Sequence, residues 1–225
     1  MRFVVIGING KMGQEVKNSI QENGDVFVAG IDVKKDEGNN VYLNLKDVPK
    51  QFDAVIDFSL AQDRQEYIAF CKERKIPYGC FSTNISSIDQ CLLEDLAKVV
   101  PVLICSNASV GVNLMFKIAD LIAENQNNSD FMLTEYHHKE KKDAPSGTAK
   151  TILNILNSKN IFCATTSHRV GTENGKHILE IFWQDESLTI THQANSRKIF
   201  ASGAIMFMHK LASKEKGIYS SLSLK

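Results

Sequence analysis

The chain has 225 residues, 26 Lys and Arg against 26 Asp and Glu, and 43% hydrophobic residues. This composition supports two modest cores or one large one, argues against disorder, and gives no global field that would draw in nucleic acid or an anionic membrane. No apolar run approaches membrane-spanning length, Met1–Gly7 reaches glycine too early for a signal peptide, and five cysteines without C-x-x-C spacing outline neither a disulfide framework nor a cysteine zinc site, so a cytoplasmic protein with a small-molecule partner is expected.

In chain order, Arg2–Ile6 is β-branched and aromatic and reads as a strand. Gly7-Ile8-Asn9-Gly10-Lys11-Met12-Gly13 follows as a turn, then a helix from Gln14 to about Glu22. Strands are expected at Val26–Asp32, Ala54–Phe58 and Val99–Cys105, with an amphipathic helix from Gln65 to Arg74. This alternation implies a parallel sheet with right-handed crossovers. After Asn107 come a helix from Asn113 to about Glu124, a strand over Phe131–His137 and a helix over Ala149–Leu156. Strands at His177–Phe182, Leu188–Gln193 and Lys198–Phe200 read as an open mixed or antiparallel sheet, and Gly203–Leu211 as a returning helix. The expectation is an α/β chain: an N-terminal Rossmann-like doubly wound domain (1–108 and 203–225) that binds a dinucleotide, and a smaller α+β domain (109–202) for substrate binding and oligomerisation. Crossings near Asn107–Ser109 and Ser202–Gly203 suggest hinge closure over substrate.

Gly7-x-x-Gly10-x-x-Gly13 lies between the first strand and the first helix, where glycines permit a tight turn, close approach of backbone to a pyrophosphate and close helix packing. Asp32 ends the second strand at the distance suited to the ribose hydroxyls of NAD(H). Its carboxylate favours NADH over NADPH, while Lys34 and Lys35 beside it could neutralise a 2′-phosphate, so both cofactors remain open.

The second motif runs from Glu135 to Ala149: Glu-Tyr-His-His-Lys-Glu-Lys-Lys-Asp-Ala-Pro-Ser-Gly-Thr-Ala. A histidine exchanges protons near neutral pH, a lysine holds a carboxylate, and a Ser-Gly-Thr helix start offers amides to an anion, which together describe a pocket for a small acidic substrate. Adjacent His137 and His138 point to opposite sides of a strand and have no third ligand at recognisable spacing, so no metal site is expected. Lys139, Lys142 and Lys150 read as a solvated face, His168, His177 and His209 as surface or satisfied core histidines, and Trp183 as sheet packing.

Glu135-Tyr136-His137-His138-x-x-Lys141-x-Asp143-Ala144-Pro145-Ser146-Gly147-Thr148-Ala149 resembles the signature of the dihydrodipicolinate reductase family (4-hydroxy-tetrahydrodipicolinate reductases). The resemblance extends to Gly7-x-x-Gly10-x-Met12-Gly13, Ile56-Asp57-Phe58-Ser59, Asn107-Ala108-Ser109-Val110-Gly111-Val112-Asn113 and His192-x-Ala194-x-Ser196-Arg197. It implies reduction of 4-hydroxy-tetrahydrodipicolinate to tetrahydrodipicolinate by NADH or NADPH with loss of water, in lysine and diaminopimelate biosynthesis. It implies His137 as general acid, Lys141 as catalytic or substrate-binding, and His138, Gly147 and Thr148 as holders of the substrate's carboxylates. It further implies a nucleotide site of Gly7, Asn9, Gly10, Lys11, Met12, Gly13, Asp32, Phe58, Ser59, Ser82, Thr83, Ser106, Asn107 and Ala108, and a homotetramer built through the substrate-domain sheet.

The chain departs from the family pattern at Phe81-Ser82-Thr83-Asn84, aligned with Gly-Thr-Thr-Gly. Ser82 and Thr83 keep the hydroxyls, but both glycines are replaced and Phe81 adds bulk where backbone should approach the cofactor. Ala108 and Lys139 replace a common aromatic and a common arginine, and the chain is trimmed between the Ser-Gly-Thr helix and Arg169. The alternatives are a same-fold reductase of another cyclic imine acid, and an NAD(P)H-binding sensor without chemistry. Arg169 and Arg197 stay unassigned.

Overall fold

The computed structural model describes residues 1–60, 64–82, 85–125 and 128–224. Its elements are β1 (Arg2–Ile6), α1 (Lys11–Glu22), β2 (Val26–Ile31), β3 (Val41–Tyr42), β4 (Ala54–Asp57), α2 (Arg64–Arg74), β5 (Tyr78–Cys80), α3 (Ser87–Leu96), β6 (Pro101–Ile104), α4 (Val110–Asn125), β7 (Asp130–His137), α5 (Gly147–Ser158), β8 (Cys163–Arg169), β9 (Lys176–Phe182), β10 (Ser187–Gln193), α6 (Lys198–Ala212) and β11 (Gly217–Ser220). Two compact units result: residues 1–108 together with the stretch from Lys198 onward, and Ser109–Arg197. The return crossing precedes the expected Ser202–Gly203 because Lys198 already opens α6.

The first unit is a seven-stranded parallel sheet of order β11-β6-β5-β4-β1-β2-β3. β1 shows why the strands read as apolar runs: Phe3 and Val5 enter one core with Val16 and Ile20 of α1 and Ile205 and Met208 of α6, while Val4 and Ile6 enter the other with Ile68 of α2 and Leu93 and Leu96 of α3. A strand buried on both faces has no polar face to alternate with. Each of these side chains, fully withdrawn from water, contributes about 1.5–3 kcal/mol.

Lys198-Ile199-Phe200 is not a strand. It is the first turn of α6, whose buried Ala201, Ala204, Ile205, Met208 and Leu211 recur at three- and four-residue spacing. Gly203 lets α6 touch the chain at Ala108, since a Cβ there would fall 1.9 Å from the Ala108 carbonyl oxygen.

The second unit is a four-stranded mixed sheet, β10-β9-β7-β8, in which β7 runs parallel to β8 and antiparallel to β9. Phe131, Leu133, Glu135 and His137 lie on one face of β7 and are buried, whereas on the other face Thr134 is buried and Met132 and Tyr136 are half-buried. Among the described residues no helix is long and apolar enough to cross a membrane. All five cysteines are free, and only Cys91 is exposed.

Candidate active site

In the first unit, the turn from Gly7 to Gly13 opens α1. Gly7 sits at φ +81°, and a Cβ on it would meet the backbone of Ser59 at 3.1 Å. A Cβ on Gly13 would lie 2.2 Å from the Gly7 carbonyl and 2.6 Å from the Ile8 Cα, so only glycine lets the helix start beneath the turn. The N-cap is Gly10, and no side chain caps the helix. First-turn amides are therefore left to a ligand, and no acidic residue there opposes an anion. A cleft of about 710 Å³ opens at this point, lined by Gly7, Gly10, Lys11, Met12, Gly13, Asp32, Phe58 and Ser59 among others. These residues fit a dinucleotide: the floor is one that any Cβ would fill, and an uncapped helix start faces it.

Asp32 is more constrained than its sequence position suggests. Its Oδ2 accepts the Asn9 N–H and its Oδ1 the Val33 N–H, both at 2.8 Å, so the carboxylate ties the turn to the end of β2. Lys35 is paired with Glu37 at 2.6 Å. Phe81 belongs to the buried core of the first unit. The ring is buried and stacked on Phe58, with centroids 5.0 Å apart, so its bulk fills the core. Ser82 likewise does not offer a free hydroxyl: its Oγ donates to the Ser59 carbonyl at 2.5 Å and accepts from Arg64. Ser106 and Asn107 are partly exposed and Ala108 is buried at the end of this unit. Thr83 and Asn84 lie outside the described residues.

In the second unit, the polar motif closes around a carboxylate not singled out by spacing. Glu135 is fully buried on β7. Both its oxygens accept the Ser146 N–H, at 3.0 and 3.1 Å, and Oε1 also accepts from Arg169 Nη2 at 3.1 Å. His177 Nε2 lies 3.6 Å from Oε2 and 3.2 Å from Ser146 Oγ. Burial alone would raise the Glu135 pKa, but His177, Ser146, Ser167 and Arg169 outweigh it and hold the carboxyl well below the usual range. Glu135 is thus a fixed negative charge.

His137 follows two residues on, on the same face of β7. Its Nδ1 faces Glu135 Oε2 at 3.8 Å and its ring meets that of His177 edge-on at 5.2 Å. Burial first, then the neighbouring His177, pushes its pKa down to about 4, with Glu135 opposing. Gly175, at φ +137°, leaves space beside Nε2, where a Cβ would stand 3.2 Å away. His138 turns the other way and pairs with Glu140 at 2.9 Å, as alternation requires. Lys141 is mostly buried and paired with Asp143 at 2.7 Å. Ser146 caps α5 by accepting the Ala149 N–H, which places Gly147 and Thr148 in the first helical turn.

The sequence offered His137 no third metal ligand, yet the fold brings Glu135, His137 and His177 within 4.8 Å of one another. The Arg169 guanidinium on the same carboxylate puts a positive charge where a cation would bind. Arg169 also donates to the Asp143 carbonyl, so it ties the lysine loop to Glu135.

Residues 1–108 match the family model "Dihydrodipicolinate reductase, N-terminus", and residues 111–223 match "Dihydrodipicolinate reductase, C-terminus". The chain belongs to the dihydrodipicolinate reductase family. Relatives named 4-hydroxy-tetrahydrodipicolinate reductase include those of Caldanaerobacter subterraneus subsp. tengcongensis, 31% identical across 98% of this chain and 96% of the relative, and of Thermosipho africanus, 31% identical across 98% and 95%. The fold is shared with a dipicolinate-bound dihydrodipicolinate reductase from Paenisporosarcina sp. TG-14, at a TM-score of 0.80 and 21% identity over 99% of this chain and 98% of that one. Dihydrodipicolinate reductases are pyridine-nucleotide-dependent oxidoreductases.

For a dihydrodipicolinate reductase, what sequence reading missed here is the support beneath the histidine. In the sequence Glu135 is one residue of a longer motif, and His177 has the surroundings of a surface or satisfied core histidine. A charged residue at an apolar-phase position of a strand, two before a histidine, was the available signal for Glu135. No local signal marks His177, because its partner is 42 residues away by number (177 − 135).

Proposed function

We propose that the chain reduces 4-hydroxy-tetrahydrodipicolinate to tetrahydrodipicolinate with NADH or NADPH and loss of water, in lysine and diaminopimelate biosynthesis, as a cytoplasmic homotetramer. The observation that carries this reading is the Glu135-centred cluster, which sets a buried histidine, a lysine and a capped helix start side by side.

The Gly7–Gly13 turn and the first amides of α1 take the pyrophosphate, Asp32 takes the adenosine ribose, and Phe58 and Ser59 border the nucleotide; Ser106, Asn107 and Ala108 join them on the strength of the family resemblance. When bound, the reduced nicotinamide supplies a hydride. Asp32 favours NADH: its carboxylate is held in place by two backbone amides, and Lys35 is already engaged by Glu37.

His138, Lys141 and the helix start at Gly147 and Thr148 bind the two carboxylates of the substrate. Lys141 exchanges Asp143 for a substrate carboxylate. His137 gives its proton from Nε2, the atom beside Gly175, while Nδ1 faces Glu135. Left alone, the buried ring is neutral near pH 7. A bound dicarboxylate adds negative charge beside it, and Glu135 steadies the cationic form, so the acid is made where the substrate is.

The deciding experiment supplies the unstable substrate from a coupled synthase and follows NADH and NADPH oxidation separately by absorbance. Oxidation that depends on the synthase product is expected, faster with NADH. Cofactor binding without oxidation would reject the reading.

A further inference from the structure

Two strand-end loops beside the nucleotide cleft are held from beneath by a buried ionic cluster. Asp57 at the end of β4 and Arg64 in the first turn of α2 have side chains 0% and 1% exposed. Asp57 Oδ2 accepts from Arg64 Nε at 2.9 Å and from the Tyr78 hydroxyl at 2.7 Å. Its Oδ1 accepts the backbone N–H and the hydroxyl of Ser59 at 2.7 and 2.6 Å. The rest of the guanidinium reaches further: Nη1 donates to Asp89 Oδ2 at 2.7 Å, and Nη2 to the Ser59 carbonyl at 3.2 Å and to Ser82 Oγ at 2.9 Å. Ser82 donates in turn to the same Ser59 carbonyl.

One side chain therefore ties together three points: Ser59 after β4, Ser82 after β5, and the start of α3, where Asp89 closes the capping box with Ser86. Ser59 is where this matters, because it lines the cleft and its backbone sits against Gly7. As a source of stability the arrangement is poor. Burying two charges costs several kcal/mol for each ion, and well-packed apolar side chains would hold a helix to a sheet as well or better. What a forked guanidinium does and an apolar side chain cannot is to fix direction at several acceptors at once.

We infer that Arg64 is a positioning residue for the nucleotide site, acting through Asp57 and Ser82 to hold Ser59 in the place that takes the dinucleotide. Phe81 stands where a glycine is expected, whereas Ser82 keeps a hydroxyl, and that hydroxyl serves as a strut to Ser59. The inference rests on the nucleotide reading of the Gly7–Gly13 cleft.

The test measures NADH and NADPH affinity by fluorescence for the full chain, alongside thermal melts and steady-state kinetics. Arg64→Met is expected to weaken cofactor binding roughly tenfold, the equivalent of losing a charge-assisted hydrogen bond, with the KM for the dicarboxylate unchanged. Arg64→Lys, which keeps the charge and loses the fork, is expected to restore the melting temperature more than the affinity. Ser82→Ala leaves the Asp57–Arg64 pair intact and decides the matter if Arg64→Met does not fold; it is expected to weaken binding several-fold at near-native melting temperature. Unchanged cofactor affinity in Ser82→Ala, or in folded Arg64→Met with only a lowered melting temperature, would overturn the inference. Failure of the unsubstituted chain to bind either cofactor at millimolar concentration removes the nucleotide reading and this inference with it, and shows before any substitution is made.

Discussion

His137 and Lys141 differ in what they are asked to do, and kinetics should separate them. His137→Gln removes the proton donor and leaves the carboxylate contacts, so kcat should fall about 10²- to 10⁴-fold with little change in KM. Lys141→Ala removes charge complementary to the substrate and should harm both. Unchanged turnover in the histidine variant would dismiss it as the acid. Asp32 has a double duty that its sequence position does not disclose, since it also ties down the Asn9 amide. Asp32→Ala should weaken NADH much more than NADPH in a binding titration. Equal loss with both would assign Asp32 to holding the turn alone.

At the scale of elements, α5 depends on Ser146, whose hydroxyl accepts the Ala149 N–H while its own N–H goes to Glu135. Ser146→Ala keeps the second contact and loses the first. A cost of about 1 kcal/mol is expected from the lost cap, read as a lower midpoint in a urea melt, together with a raised KM for the dicarboxylate because Gly147 and Thr148 lose their fixed start. A normal KM would mean that the helix start does not hold substrate. The elements also show where local reading failed. Lys198-Ile199-Phe200 looks extended in isolation, and it became helix because Ala201 to Leu211 continue a buried helical face beyond it. α3 is absent from the sequence expectation, yet Ser86 and Asp89 form a capping box, the usual sign of a helix start.

For the whole molecule, the titration of the buried groups sets a pH dependence of stability. His137 is held down to about 4, whereas the unfolded chain takes up that proton near the usual 6.5. As the pH falls from about 6.5 to about 4 the unfolded state binds a proton the native state refuses, so stability declines across that window. His192, lowered by burial, acts in the same direction. Glu135 contributes stability that is present above its usual 4.5 and is lost at lower pH. Melting temperatures from pH 8 to 4 should show the decline, and His137→Gln should flatten its upper part; an identical slope would mean that His137 titrates normally. Assembly is a second property at this scale. Met132, Tyr136 and Ile178 stand half-buried, and Phe182 exposed, on the sheet face of the second unit opposite Glu135 and His137, where Lys176 and Glu180 join them in a mixed surface suited to another copy. Light scattering after size exclusion is expected to give four times the 25.1 kDa chain mass, and a monomer would refute the tetramer.

The sequence alone determined the alternation of strands and helices, the glycine turn with its ribose carboxylate, and the His-His-Lys and Ser-Gly-Thr motif, because each is a pattern of near neighbours with a local physical meaning. Only the tertiary structure decided that Glu135, Arg169 and His177 meet beneath His137, and that Arg64 joins Asp57 to Ser59, Ser82 and Asp89. Those groups come from separate strands and loops, and a buried charge declares its partners only when folding removes the water that would otherwise have satisfied it. The same is true of Phe81 and Ser82: spacing marks Phe81 as a misfit and Ser82 as a retained hydroxyl on a cofactor loop, and packing turns the first into core and the second into a strut.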